Sequence, residues 1–205
     1  PRGIKFDTSK MRWIGNMAAL NSMVVAMGHV AKTLDDAKKK EIVVAASGKG
    51  SETYIFPKFL NSAVGTRFKI VTGYRGTAKM TNAMESGEAQ ARGGSWQSWN
   101  VIRPHWIGTD KIGVLVQAGL TPHPDPAVKH VPMLVDVVSA EYKPIAALLS
   151  APVSMARIVG TPPDVPNDRI MALRKIFMET MKDPAFLADA RKRKMPIDAL
   201  SGQDV

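Results

Sequence analysis

A glycine-rich segment between an apolar run and a helical pattern is the sequence's strongest candidate for binding chemistry. It consists of Ser47, Gly48, Lys49, Gly50 and Ser51. Glycines let the backbone turn tightly and approach a ligand, and the N-terminus of the helix that follows presents free N–H groups and a partial positive charge. Serine hydroxyls and the lysine charge add to these donors. The pattern predicts an anion site, and a plain glycine turn with Ser51 as the helix N-cap is the alternative interpretation.

Two more loops have the same arrangement of strand, glycines and helix start. They contain Tyr74, Arg75 and Gly76 in one case and Gly93, Gly94, Ser95 and Trp96 in the other. In a parallel α/β sheet all three loops fall at the carboxyl ends of strands, where ligands bind. The segment 47–51 lacks the glycine spacing of a P-loop or a dinucleotide fingerprint. The sequence therefore predicts that the three loops converge on a small anionic ligand.

Aromatic and basic residues also cluster after the third loop. Trp96, Trp99 and Trp106 lie close to Arg103 and His105. Aromatic rings interleaved with basic residues are typical of stacking on single-stranded nucleic acid. The spacing of Trp96 and Trp99 equally fits the core-facing side of one helix, and a stacking wall for a small ligand is the third interpretation.

Catalytic and metal-binding patterns are missing from the sequence. The four histidines do not have ligand spacing, there is no cysteine, and no G-x-S-x-G motif is present. No general base is placed near the glycine loops, which counts against an enzyme with a phosphate-cradling loop. We therefore expect a protein without metal, cofactor or catalytic residues.

Alternating apolar runs and helical patterns predict an α/β fold with mainly parallel sheets flanked by helices. Thr33 to Asp36 fits a capping box, and Asp183-Pro184 marks the start of a late helix. The predicted strands are 22–27, 41–45, 68–72, 89–92, 112–116 and 155–159, and the predicted helices are 34–40, 52–64, 77–85, 96–102, 141–149, 167–182 and 184–193. Residues 119–130 are rich in proline and glycine and are predicted to be a linker.

Composition leaves the partner open. The chain has 205 residues, a formal net charge of +10 and a hydrophobic fraction of 45%, which fits a globular protein. A basic protein suits nucleic acid, an anionic membrane surface or a small anionic ligand. No apolar run reaches the roughly 18 residues of a membrane-spanning helix.

Seven segments together resemble the periplasmic solute-binding receptors of tripartite tricarboxylate transporters, the Bug-type receptors. Residues 45–51 resemble the family's S-x-G-x-G-S loop, residues 68–76 its strand leading into a Y-K-G loop, and residues 160–163 its A-G-T-P motif. The other matching segments are 4–14, 84–88, 122–134 and 182–184. No single motif is specific, but their order and spacing match over nearly the whole chain.

Several positions depart from the family pattern. Lys49 stands where the family often has a neutral residue, Arg75 replaces the usual lysine, and Gly93-Gly94-Ser95 replaces a sequence such as F-D. Ser86 and Gln90 replace a common glycine and aspartate. The additional basic residues favour an anionic ligand but leave its identity open.

The resemblance implies a two-lobed fold of the periplasmic binding protein type II kind, truncated at both ends, with an incomplete first lobe. We expect residues 1–21 to be an N-terminal segment of the first lobe, 22–118 the second lobe, and 119–205 a linker and the C-terminal part of the first lobe. Ile170, Leu173, Phe177 and Met181 form one apolar helix face, which such a first lobe would cover incompletely and which would favour an edge-paired oligomer.

The implied function is capture of a small carboxylate in the periplasm for delivery to the permease subunits of a membrane transporter, without chemistry on the ligand. The segment 47–51 would hold a carboxylate, Tyr74, Arg75 and Gly76 would line the opposite side, and Ser95 and Trp96 would close the pocket. A basic nucleic-acid-binding α/β domain is the alternative, and a steep salt dependence of binding would identify it.

Overall fold

The computed structural model describes residues 7–205, which form two compact units. The first combines the N-terminal segment up to Ala19 with Met155–Val205, and the second is Leu20–Ser154. Residues 1–6, which belong to the predicted N-terminal segment, lie outside the described residues.

Eight strands and seven α-helices make up the described chain. The strands are β1 Arg12–Asn16, β2 Ser22–Met27, β3 Ile42–Ala46, β4 Phe68–Thr72, β5 Ala91–Ser95, β6 Ile112–Ala118, β7 Ile158–Thr161 and β8 Leu200–Ser201. The helices are α1 Leu34–Lys39, α2 Glu52–Ala63, α3 Thr77–Glu85, α4 Trp96–Ile102, α5 Lys143–Ser154, α6 Asn167–Thr180 and α7 Pro184–Lys192.

The α/β prediction is confirmed, but the pairing is mixed rather than mainly parallel. The second unit has a five-stranded sheet in the order β4-β3-β5-β2-β6. Strand β3 is parallel to β4 and β5, whereas β2 is antiparallel to β5 and β6. The first unit has a three-stranded antiparallel sheet, β7-β1-β8. A continuous apolar run such as Ser22–Met27 predicts burial on both faces, but it does not determine the direction of the strand.

The predicted boundary at residue 118 also requires correction, because residues 119–154 belong to the second unit. Val128, Leu134 and Ala146 are buried in its two cores. The His123 N–H donates to Gln117 Oε1 at 2.9 Å, and Gln117 Nε2 donates to the Val128 carbonyl at 3.2 Å, which fixes the predicted linker against β6. Proline and glycine determined the irregular conformation of this segment, whereas its apolar side chains determined where it packs.

Helices cover both faces of the five-stranded sheet. Successive residues of β3 alternate between the two cores, with Val44 in the core under α1, α2 and α5 and Ala45 in the core under α3 and α4. This alternation is the two-residue period of a strand. Both faces of the sheet are therefore covered at β3.

Most helix starts agree with the sequence signals. Thr33 and Asp36 form the predicted capping box at α1, and the Asp183 side chain accepts the Phe186 N–H at the start of α7. Gly76 is the N-cap of α3. The strand predicted at 155–159 begins only at Ile158, because α5 continues through Pro152 as far as Ser154.

Helix α6 of the first unit has an apolar face that is only partly covered. Ile170 is 1% exposed and Met181, just beyond the helix, is buried. Phe177 is half-buried, and Leu173 is 41% exposed. Two residues of the predicted face are therefore buried, and the incomplete cover is limited to Leu173 and Phe177.

Gly113 in β6 is a position where any side chain would collide with backbone. A Cβ there would lie 2.7 Å from Lys32 Cα and even closer to the Ala31 carbonyl oxygen. We expect Gly113→Ala to lower the free energy of unfolding of the second unit by about 1–3 kcal/mol, since overpacking against backbone forces a shift. Gly50→Ala is the control, because a Cβ at Gly50 meets nothing within 4 Å. Urea unfolding that shows equal stability for the two variants would contradict this packing.

Candidate functional site

The three glycine loops meet at one edge of the five-stranded sheet. Strands β4, β3 and β5 are parallel neighbours, so their carboxyl ends lie together. The segment 47–51 follows β3, the segment 73–76 follows β4, and Ser95 ends β5. The Tyr74 N–H donates to the Ala46 carbonyl at 3.3 Å, which joins the first two loops. The convergence predicted from the sequence is therefore present.

Hydroxyl groups hold the segment 47–51 in its shape. Ser51 is the N-cap residue of α2, as predicted, and its Oγ donates to the Gly48 carbonyl at 2.8 Å. Thr53 Oγ1 lies 2.6 Å from Ser51 Oγ and accepts the Ser47 N–H at 3.0 Å. Because the Ser51 hydroxyl hydrogen is already donated, its hydroxyl stabilises the loop, and any ligand meets backbone donors.

Thr53 is a site residue that the sequence analysis missed. Its side chain is 5% exposed and its hydroxyl contacts both Ser47 and Ser51. A third hydroxyl residue two positions after Ser51 was the available signal. Its place in the network is set by the three-dimensional fold of the loop.

Three backbone N–H groups of the segment 47–51 are unpaired within the described residues. They belong to Gly48, Lys49 and Gly50. A Cβ added at Gly48 or Gly50 would meet nothing within 4 Å. Packing therefore does not require glycine at these two positions. A ligand can approach the backbone closely there.

Two cationic side chains flank these donors. Lys49 and Arg75 are exposed, and neither has a hydrogen-bond or ion-pair partner within the described part of the chain. Gly76, with φ of 85°, leads into α3 without a side-chain cap. The first turn of α3 therefore adds uncapped N–H groups on the same edge of the sheet.

The side chains of Tyr74 and Trp96 both make hydrogen bonds within the second unit. The Tyr74 hydroxyl donates to Glu88 Oε1 at 2.7 Å, and this hydrogen bond raises the pKa of Tyr74. Trp96 is 1% exposed and its Nε1 donates to Asp125 Oδ2 at 2.7 Å. Trp96 is therefore packed in the core of the second unit, and its role in closing a pocket stays a prediction.

A small cavity of about 230 Å³ lies beside Ser95, where α3 and α4 begin. It is lined by Thr77, Ser95, Gln97, Ser98, Val101 and Ile102. The Ser98 hydroxyl donates to the Ser95 carbonyl at 2.7 Å. It is a shallow, open depression with a hydroxyl-bearing side and an apolar side.

Arg92 in β5 is the second residue that the sequence analysis missed. Its side chain is completely buried, with Cζ 3.8 Å from the centre of the Trp99 ring. Burial lowers the pKa of Arg92 to about 9, although the charge of Glu52 partly offsets this effect. An arginine between alanine and glycine in an otherwise apolar strand was the available signal.

Glu52, the first residue of α2, places a negative charge next to the predicted anion site, and burial raises its pKa. As pH falls through that raised pKa, Glu52 loses its charge and with it the repulsion of a bound carboxylate. We expect Glu52→Gln to bind adipate about two- to fivefold more tightly at pH 8, the range of an exposed charge interaction. A pH series of titrations should show the advantage shrinking as the pH is lowered and Glu52 becomes protonated. An advantage that grows as the pH falls would contradict this sign.

The tryptophans predicted to stack on nucleic acid are buried. Trp96, Trp99 and Trp106 are 1%, 0% and 2% exposed, and Trp99 and Trp106 pack against each other with ring centres 6.3 Å apart. A stacking platform needs exposed ring faces. The observation that favoured the nucleic-acid alternative is therefore explained by core packing.

Among the described residues, no helix is both long and apolar enough to span a bilayer. No group of three or more His, Cys, Asp or Glu side chains in that part of the chain is arranged to hold a metal ion.

Known proteins resemble this chain in structure but not detectably in sequence. No protein-family model matches the chain, and no curated protein matches it significantly. A TctC solute-binding protein from Polaromonas superposes with a TM-score of 0.69 at 13% identity, over 98% of this chain and 65% of that one. An R. palustris protein solved with adipate superposes with a TM-score of 0.65 at 15% identity, and the match covers 99% of this chain and 65% of that one. MatC from Rhodopseudomonas palustris with bound malate superposes with a TM-score of 0.55 at 16% identity, and the match covers 95% of this chain and 63% of that one.

These structures are similar to almost the whole of this chain, which spans slightly less than two thirds of their length. At sequence identities this low, the superpositions establish a shared fold and nothing further. The chain has the α/β fold of the periplasmic solute-binding proteins of TctC type.

Proposed function

We propose that this chain is the ligand-binding part of a periplasmic receptor for a small carboxylate and performs no chemistry on it. The observation that carries the proposal is the donor-rich edge of the second unit. There the free N–H groups of the segment 47–51 lie beside the unpaired cations Lys49 and Arg75. A carboxylate offers the acceptors and the charge that such an edge lacks.

The ligand class is supported by the structural neighbours. One was solved with adipate and another with malate, both small dicarboxylates. Their fold covers nearly all of this chain. In the proposed site, Gly48, Lys49 and Gly50 donate backbone N–H groups, Lys49 and Arg75 donate from their side chains, and Ser51 keeps the loop in shape. Gly76 and Ser95 border the ligand from the neighbouring strand ends.

The proposed cellular role extends to a transporter. The receptor would present its carboxylate to membrane permease subunits, as the sequence resemblance implies.

Self-association through the incompletely covered α6 face is the other proposed interaction. Sedimentation velocity of the wild type and of Leu173→Lys would test it, with a smaller species expected for the variant.

Calorimetric titration of the chain tests the carboxylate function. We expect heat from adipate and malate and none from adipamide, which has the same shape as adipate but no charge. A single-stranded oligonucleotide titrated at several salt concentrations serves as the comparison. Tight oligonucleotide binding with a steep salt dependence and no response to any diacid would favour the nucleic-acid alternative instead.

A further inference from the structure

Strand β6 is an edge of the five-stranded sheet, and the direction of its free backbone groups follows from its neighbour β2. The Met27 N–H donates to the carbonyl just before β5, whereas the N–H of the next residue, Gly28, donates to the carbonyl just before β6. Because this direction alternates along an antiparallel strand, Val25 faces β5 as Met27 does. The residues of β6 opposite Val25 and Met27 are Val114 and Ile112, and they therefore exchange no hydrogen bonds with these partners.

The backbone N–H and C=O groups of Ile112 and Val114 point outward from the sheet as a result. Gln117 has the same orientation, and its outward groups are paired. Its N–H donates to the Pro132 carbonyl at 3.0 Å, and its carbonyl accepts the Leu134 N–H at 2.7 Å. No such partner is present for Ile112 and Val114 among the described residues. An unpaired stretch of edge strand is a template for another chain.

Two cavities meet at this unpaired stretch, one on each face of the sheet. The larger, of about 580 Å³, borders Leu34 and Leu115 of the core under α1, α2 and α5. The smaller, of about 230 Å³, borders Trp96 and Ile112 of the core under α3 and α4. Val114 lines both cavities. The open edge of β6 therefore lies between a cavity on one face and a cavity on the other.

An extended chain added beside Val114 would use both cavities. Successive side chains of a strand point to opposite faces of a sheet, so alternate residues would enter the larger and the smaller cavity. The unpaired stretch is recessed, since Ile112 and Leu115 are buried and the segments 32–35 and 130–132 border the cavities beside it. A single extended segment fits such a recess, whereas a second copy would have to bring a whole sheet edge with its covering helices.

The unmatched charge at this groove is positive. The two lysines that line the larger cavity are each paired with an aspartate. Lys129 and His130 are exposed and have no ion-pair partner within the described part of the chain, and His130 lines both cavities. Complementary charge on a partner is therefore negative.

We propose that the edge of β6 at Ile112 and Val114 binds an extended, acidic and apolar segment of a partner protein as an added strand. The segment exchanges backbone hydrogen bonds with these two residues, places a large apolar side chain in the larger cavity and carries an acidic residue near Lys129 and His130. In this mode of recognition, main-chain hydrogen bonds supply affinity and the pockets for alternate side chains supply specificity.

This peptide site is separate from the glycine loops. Ser95, at the carboxyl end of β5, is opposite Ser22 at the start of β2, whereas Ile112 is opposite Met27 at the end of β2. The unpaired stretch therefore lies at the other edge of the sheet, and the proposal does not depend on carboxylate binding.

Selection of a displayed library of random heptapeptides on the full chain tests the proposal. We expect enriched peptides in which apolar residues alternate and acidic residues are present. A synthetic copy of the most enriched peptide should slow hydrogen exchange at the Val114 amide, which is unpaired in the free chain. The same peptide methylated on its central backbone nitrogens should bind at least about tenfold more weakly, the combined range of two lost hydrogen bonds.

Two variants and a matched control complete the test. His130→Glu should weaken the acidic peptide at least about threefold, because it sets a like charge at the border of both cavities. His105→Glu makes the same change at an exposed residue that lines neither cavity and should leave peptide affinity within about twofold. Val114→Pro removes the outward N–H at an edge position where proline is tolerated, and it should abolish binding.

Three results would overturn the proposal. They are a selection that enriches no peptide, equal binding of the methylated peptide, and protection of other amides with none at Val114. Equal affinity for His130→Glu and the wild type would overturn the acidic character of the partner. The exchange measurement uses the wild-type chain and stays decisive even if Val114→Pro does not fold.

Discussion

Adipate affinity is expected to fall by at least about a hundredfold when Lys49 and Arg75 are both replaced by glutamine. Each side chain is exposed and unpaired within the described chain, so each is free to bond to the ligand's carboxylate. A hydrogen bond between charged groups contributes about 1.5–3 kcal/mol, which is roughly ten- to a hundredfold in affinity. Isothermal titration of the double variant with adipate measures the loss.

The matched control removes the same net charge elsewhere in the second unit. Lys58 in α2 and Arg67 before β4 are exposed and lie outside the proposed site. Replacing both by glutamine should change affinity by no more than about twofold, because solvent and salt screen distant exposed charges. Equal losses in the two double variants would show that net charge, and not the site, attracts the ligand.

Loss of the Trp96 side chain is expected to have the largest effect on stability. The ring is 1% exposed within the core under α3 and α4, and its Nε1 donates to Asp125. Truncating a buried aromatic residue to alanine costs about 3–5 kcal/mol. We therefore expect Trp96→Ala to lower the free energy of unfolding by that amount, measured by urea denaturation followed by circular dichroism.

Trp96→Phe separates packing from ligand contact. It keeps an aromatic ring and removes only the hydrogen bond to Asp125, which should cost about 1–3 kcal/mol of stability. Adipate affinity of the folded variant should stay unchanged, because the indole does not reach the proposed site. A variant of normal stability with weakened binding would restore the pocket-closing role predicted from the sequence.

Local signals in the sequence determined much of the candidate site. Strand, glycine loop and helix start follow one another within about ten residues, so the positions of Ser51 at α2 and Ser95 at α4 were predictable. The spacing of Trp96 and Trp99 was compatible with two interpretations, packing of both rings in the core or a wall of a ligand site. Burial, which depends on the whole fold, decided for the core.

Long-range packing determined the features that were not predicted. The antiparallel direction of β2 depends on strands about 70 to 90 residues away along the chain, β5 and β6, and no local pattern encodes it. The segment 119–154 has the composition of a linker at its start, yet its apolar residues complete the cores of the second unit. Arg92 is a single residue in a short strand, and its position under Trp99 and Ser98 is established only by tertiary contacts.

Amide chemical shifts of the isotopically labelled chain, recorded during titration with adipate, test the central claim most directly. We expect shifts that saturate at Gly48, Lys49, Gly50, Arg75 and Gly76, where unpaired N–H groups or cations meet at the carboxyl edge of β3 and β4. Adipamide should leave these resonances in place. Shifts confined to another basic surface, such as the cluster at residues 191–194, or equal responses to adipate and adipamide, would contradict an anion site at this edge.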